Sequence, residues 1–216
     1  MNSRDPLAPY RNLFITARPG MGATTLALNI VSKYLDEDKK CLVFENTNCF
    51  STGYIERTRA LREGIGIDST PPLFKKYGNL TVAHRYLFEL DTVLSVITEH
   101  NPDIIVYEES HYSGDQSKDL IRLVGELKKM GKLFIFVTHL KRKRNFFTNY
   151  EYNAPFASRH RKAIPYFDAT AIVYRNGYCD EVENVIEEIR IYERGKRKYR
   201  TVPVRFDFQK QRIILR

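Results

Sequence analysis

Leu13-Phe14-Ile15-Thr16-Ala17-Arg18-Pro19-Gly20-Met21-Gly22-Ala23-Thr24-Thr25-Leu26-Ala27-Leu28-Asn29-Ile30 passes from an unbroken apolar run, through a glycine-rich turn, into a helical pattern. A buried strand feeding straight into a helix through such a turn is the context a phosphate-binding loop requires. The turn aims consecutive backbone N–H groups and the positive end of the helix dipole at one point. Glycines at positions 20 and 22 permit backbone angles closed to residues with a side chain. Thr24 stands where a hydroxyl would ligand Mg²⁺. The expected pattern is a small residue, four others, then Gly-Lys-Ser/Thr, and here Ala23 occupies the lysine position. The same turn also has a plainer use, close packing of helix against strand, and the turn alone does not choose between the two.

Outward from this stretch, apolar runs alternate with helical patterns. Leu13–Ala17, Cys41–Glu45, Ile104–Glu108 and Leu133–Thr138 read as strands, and their lack of alternation predicts burial on both faces. Helices are expected at Ala23–Leu35, Ser51–Glu63 and Gln116–Lys129, the last closed by Gly131. From Leu80 to His100 the residues Ala83, Leu87, Leu90, Leu94 and Ile97 recur at helical steps, with Thr81 as the expected N-cap. After Lys141 a polar, aromatic and basic loop leads to a strand at Ala169–Tyr174. Val185–Tyr192 and Thr201–Phe208 then read as a hairpin around a basic tip, and Ile213–Leu215 as a last strand. The fold expected is α/β, one domain over residues 1–216 with a mainly parallel sheet covered by helices on both faces.

At 216 residues the chain is long enough to bury a full core, and its 43% hydrophobic and 12% aromatic content exclude a disordered protein. No apolar run approaches the roughly 20 residues that span a bilayer. Met1 to Tyr10 lack the basic start and apolar core of a signal peptide. The three cysteines, Cys41, Cys49 and Cys179, form no CxxC, so a cytoplasmic setting is expected, in a host cell if the protein is encoded by a phage or plasmid. The net charge of +9 gathers in Lys141-Arg142-Lys143-Arg144, Arg159-His160-Arg161-Lys162 and Arg194-Gly195-Lys196-Arg197-Lys198-Tyr199-Arg200. Three basic runs in one half of the chain favour a nucleic-acid partner over mere solubility.

The run from Ala17 to Ile30 resembles the Walker A segment of DnaB-type replicative DNA helicases, Arg18-Pro19 before the loop and Leu26-Ala27-Leu28-Asn29 after it included. The resemblance spans about residues 12–208. Cys41 to Thr47 is similar to the strand that ends on the family's catalytic glutamate, a position held here by Thr47. Ile104–Glu108 is similar to the Walker B strand, with Glu108 for the usual aspartate. Val137 to Arg142 is similar to the stretch whose glutamine senses the γ-phosphate, and His139 takes that place. Ser158 to Asp168 is similar to the DNA-contacting loop. Toward the end, the family's lysine and arginine finger fall on Glu193 and Gly195, with Arg194 one place away.

The resemblance implies a RecA-like P-loop domain that forms a ring or filament, or joins a helicase partner, and binds single-stranded DNA. Its nucleotide site would comprise Arg18, Pro19, Gly20, Met21, Gly22, Ala23, Thr24 and Thr25, taking ATP or ADP weakly, with Mg²⁺ on Thr24 and Glu108. Its DNA track would comprise Arg159, Arg161 and Lys162 with Lys141, Arg142, Lys143 and Arg144. Phosphoryl transfer rests on positioning and charge stabilisation by these parts, and loss of a finger alone removes about 10³–10⁵ in rate. Three readings stay open: natural degeneracy, an active enzyme with Glu45 or Glu109 as base and Arg194 as finger, and a laboratory substitution at Ala23. A non-catalytic subunit regulating a helicase is the reading from another class. Glu108 and Glu109 are either a metal-binding pair or a solvated strand end, and His139 a sensor or a structural histidine. Phe146, Phe147, Tyr150 and Tyr152 either stack on bases or pack a long loop.

Overall fold

The computed structural model describes residues 6–18, 20–45, 74–84, 89–109, 116–140, 160–175, 187–207 and 212–215. Within these, the strands are β1 (Asn12–Ala17), β2 (Cys41–Glu45), β3 (Phe74–Tyr77), β4 (Leu80–His84), β5 (Ile104–Glu108), β6 (Leu133–His139), β7 (Ala169–Arg175), β8 (Glu187–Glu193), β9 (Arg200–Asp207) and β10 (Arg212–Leu215). The helices are α1 (Ala23–Asp36), α2 (Leu90–His100) and α3 (Ser117–Lys129). All ten strands join one mixed sheet in the order β10-β9-β8-β7-β1-β6-β5-β2-β4-β3. The six from β7 to β4 are parallel, and the flanking β8, β9, β10 and β3 are antiparallel.

The four strands read from unbroken apolar runs form the parallel centre with β7, and β1, β2 and β5 are buried at every position. Alternate side chains on each strand enter two separate cores. Leu13, Ile15, Val43, Val106, Ile135 and Val137 meet Leu26, Ala27, Ile30 and Val31 of α1 on one face. Phe14, Leu42, Phe44, Ile105, Tyr107 and Phe136 meet Val93 and Ile97 of α2 and Leu120, Leu123 and Leu127 of α3 on the other. Burying both faces is why these strands show no two-residue alternation.

One expectation is corrected. Leu80–His84 is not the first turn of a helix capped by Thr81 but strand β4, paired parallel with β2, and helix α2 begins only at Leu90. Leu80 and Val82 are buried in the sheet, where β-branched residues pack well, and that tertiary demand outweighs a helical spacing carried by few residues. The signal was Gly78-Asn79, a two-residue hairpin turn with Gly78 at φ +57°, which pairs Tyr77 with Leu80. The expected helix at Ser51–Glu63 lies outside the described residues.

Asp168, immediately before β7, ties the start of β1 to the last turn of α3. Its carboxylate accepts the backbone N–H groups of Asn12 (2.9 Å) and Arg11 (3.1 Å) at the entry to β1 and faces the Lys128 ammonium of α3 at 3.2 Å. Partial burial works against its charge, but the Asn12 backbone N–H, the Lys128 ammonium and the Asn12 side-chain amide together hold its pKa below the ordinary carboxylate value.

Candidate functional site

In a parallel sheet, ligands bind outside the carboxyl ends of the strands. That edge collects the residues singled out in the sequence. The loop after β1 turns at Gly20 (φ +79°) and Gly22 (φ +97°), and Gly22 begins α1 in the left-handed region. Having no side chain, Gly22 leaves the first-turn amides of α1 uncapped from within, which is how a helix start presents N–H groups to an anion. Thr24 Oγ1 donates to Glu108 Oε1 at 2.5 Å, joining residues 84 apart in sequence across the intervening strand β6.

Glu45 sits beside Glu108 in the β2–β5 register, and His139 beside Ala17 in the β6–β1 register, so both face the same edge as the loop. Glu45, Glu108 and Glu109 are 1%, 2% and 7% exposed, which overturns the reading of Glu108 and Glu109 as a solvated strand end. A carboxylate taken out of water costs free energy unless it is hydrogen-bonded, paired or bound to a cation. Glu109 has such partners: Thr138 Oγ1 donates to its Oε2, and His160 Nε2 lies 2.6 Å from its Oε1. Among the described residues, no group of three or more His, Cys, Asp or Glu side chains is arranged to hold a metal ion. A cation at Thr24 and Glu108 would therefore have to draw its other ligands from water and phosphate oxygens, as Mg²⁺ commonly does.

Ala23, at the lysine position, is 2% exposed and belongs to the α1 core, so no cation projects into the loop from that place. Phe206 of β9 lies over the loop instead. Its ring is so close that a Cβ on Gly22 would stand 2.3 Å from Phe206 Cε1. Glu187 holds Phe206 there, accepting its backbone N–H at 2.9 Å while pairing with the buried Arg175 at 2.9 Å.

No family model matches the chain, and no curated protein matches it. The placement of each expected residue rests on geometry alone. Gly20, Met21, Gly22, Ala23, Thr24 and Thr25 form the loop and helix start, with Arg18 half-buried at its entry, while Pro19 lies outside the described residues. Glu45, Glu108, Glu109 and His139 converge on the carboxyl edge. Arg194 does not join them. Its backbone N–H donates to the Asp168 carbonyl at 3.0 Å, which places it at the amino edge, a strand length of about 20 Å from the loop. Arg161 and Lys162 are exposed beside the buried His160, whereas Arg159, Lys141, Arg142, Lys143, Arg144, Thr47, Phe146, Phe147, Tyr150 and Tyr152 lie outside the described residues.

The sequence did not reveal four residues that shape this edge: Thr138, His160, Arg175 and Phe206. His160 was legible only as one cation in a basic run, yet it is 1% exposed and stacks edge-on against Phe136. At the opposite edge lies a small apolar cleft of about 110 Å³ between Leu7, Tyr10, Leu13, Ile30 and Tyr34, remote from this chemistry. Among the described residues, no helix is long and apolar enough to cross a membrane.

Proposed function

We propose that the chain is a RecA-like P-loop domain of DnaB-type helicase ancestry, binding single-stranded DNA in replication, recombination or repair with weak or lost ATP hydrolysis. The observation that carries this reading is the 2.5 Å contact between Thr24 Oγ1 and Glu108 Oε1. In P-loop enzymes a loop hydroxyl and a carboxylate from another strand together hold Mg²⁺, and nothing in simple helix packing calls for that pair. The backbone amides of Gly20 to Thr25 would take the phosphates of ATP or ADP, with Mg²⁺ on Thr24 and Glu108. Mg²⁺ held there would supply neutralisation of the negative charge on the phosphates.

What this chain's own residues supply is a cradle of backbone amides with no cation at position 23. The lysine that would track the transferring phosphate is replaced by the buried Ala23, which removes much of the charge stabilisation on which the reaction depends. Of the two alternative bases, Glu109 is engaged by Thr138 and His160, while Glu45 stands next to Glu108 on the neighbouring strand. That adjacency favours Glu45 in the second reading, an active enzyme with an unconventional base and Arg194 reaching a neighbouring subunit of a ring or filament. A regulatory subunit of a helicase would use the same scaffold without turnover.

The deciding experiment measures ADP and ATP binding and phosphate release for the parent chain and for Ala23→Lys, with and without oligothymidylate. Weak nucleotide binding and negligible turnover by the parent, with tighter binding by Ala23→Lys, are expected. Robust DNA-stimulated hydrolysis by the parent would establish the active reading in place of the degenerate one. Absence of both nucleotide and DNA binding would leave the scaffold reading.

A further inference from the structure

The third basic run does not share the edge occupied by the loop and by His160. β8 runs antiparallel to β7, so its end, Glu193, pairs with Ala169 at the start of β7. The tip that follows therefore stands at the amino edge of the parallel strands. Residues 194–200 carry five cations and no acid, and all are exposed. Glu193 offsets one of them by pairing with Lys196, and Arg200 is turned toward the Pro6 carbonyl at 2.8 Å. Arg197 and Lys198 remain at the apex.

Aromatic rings stand directly behind these charges. The Ile189 and Ile191 side chains enter the α1 core, so Arg190 and Tyr192 project from the other face of β8. There Tyr192 packs against Tyr199 with ring centroids 5.0 Å apart. The Arg190 guanidinium lies 3.9 Å over the Tyr174 ring and 5.6 Å from the Tyr199 ring, fixed from the side by Glu188 at 2.5 Å. Tyr199 itself is 47% exposed, and its ring is propped in place rather than buried. Cations for phosphates next to a rigid, half-open tyrosine are the two components that bind single strands without reading sequence.

We propose that the β8–β9 hairpin is a surface for single-stranded nucleic acid, with Arg197 and Lys198 on the phosphates and Tyr199 stacking on a base. It does not rest on the nucleotide reading of the loop, and it lies at the edge opposite the basic turn at Arg161 and Lys162. A strand held at both places would run across the sheet rather than along one edge.

The test is fluorescence anisotropy of labelled oligothymidylate on the full chain across a salt series. Four variants are compared: Arg197→Ala/Lys198→Ala, Tyr199→Ala, Tyr199→Phe and Arg161→Ala/Lys162→Ala. The hairpin double variant is expected to bind more weakly and to flatten the slope of log affinity against log salt by about 1.4, about 0.7 for each phosphate no longer neutralised. Tyr199→Ala should weaken binding at least about fivefold, and Tyr199→Phe, which keeps the ring, should bind like the parent. Circular dichroism checks the fold, and the exposed double variant still decides the matter if Tyr199→Ala fails to fold. Hairpin variants that bind like the parent, while Arg161→Ala/Lys162→Ala loses affinity, would overturn this surface and leave the helicase-derived track standing. Loss in the hairpin variants alone would support the surface and remove that track. If polyglutamate displaced oligothymidylate as well as unlabelled oligothymidylate does, the surface would belong to acidic proteins and the proposal would fall.

Discussion

His160 Nε2 lies 2.6 Å from Glu109 Oε1, so a residue of the basic turn is anchored to the strand end that carries Glu108. Both side chains are buried, and Thr138 completes the contact from β6. Two adjacent carboxylates on one backbone thus face different neighbours, Glu108 toward the glycine-rich loop and Glu109 toward the basic turn. Replacing His160 by alanine leaves Glu109 short of a partner and opens space against Phe136. Leaving a buried hydrogen-bonding group without its partner costs about 1–3 kcal/mol, and each kcal/mol lowers Tm by about 2–4 °C in a domain of this size. His160→Ala should melt several degrees below the parent, while Arg161→Ala, one residue on and exposed, should stay close to it. Equal melting of His160→Ala and the parent would remove the anchor.

The loop offers a second measurement. At Gly22 a methyl group meets both a backbone angle of +97° and the Phe206 ring at 2.3 Å. Gly22→Ala should therefore be destabilised by more than the roughly 1–2 kcal/mol of a left-handed alanine alone. Adding Phe206→Ala should relieve the collision but not the backbone strain, so the double variant should be more stable than the two single losses added together. Additive losses in denaturant unfolding would show that Phe206 does not press on the loop.

Asp168 sets an acid limb on stability. Its pKa is lowered in the folded chain, so it binds a proton more readily when unfolded, and its contribution is present above the unfolded value of about 4. As pH falls through the folded value, that contribution disappears. Asp168→Ala should lower stability at neutral pH and reduce the loss seen between about pH 5 and pH 2. A parent and variant with parallel pH profiles by thermal melting would mean that the clamp on Asn12, Arg11 and Lys128 contributes nothing.

The sequence by itself determined the centre of this protein. Four unbroken apolar runs became the parallel core because burial on both faces removes any reason for alternation, and Gly20 and Gly22 marked the left-handed turn because no other residue enters it freely. The hairpin after β7 was likewise visible, its basic tip bounded by β-rich runs. Only the tertiary structure decided that Leu80–His84 is a strand, since a vacant place beside β2 outweighs a short helical spacing. It also decided the company each polar residue keeps. Thr24 and Glu108 meet across β6, Glu109 is met by His160, Phe206 closes on Gly22, and Arg194 stands at the far edge of the sheet. Periodicity along a chain records which face a side chain presents, because that depends on neighbours in sequence. Which distant side chain it meets depends on strand order and crossover, and those are settled only when the whole sheet assembles.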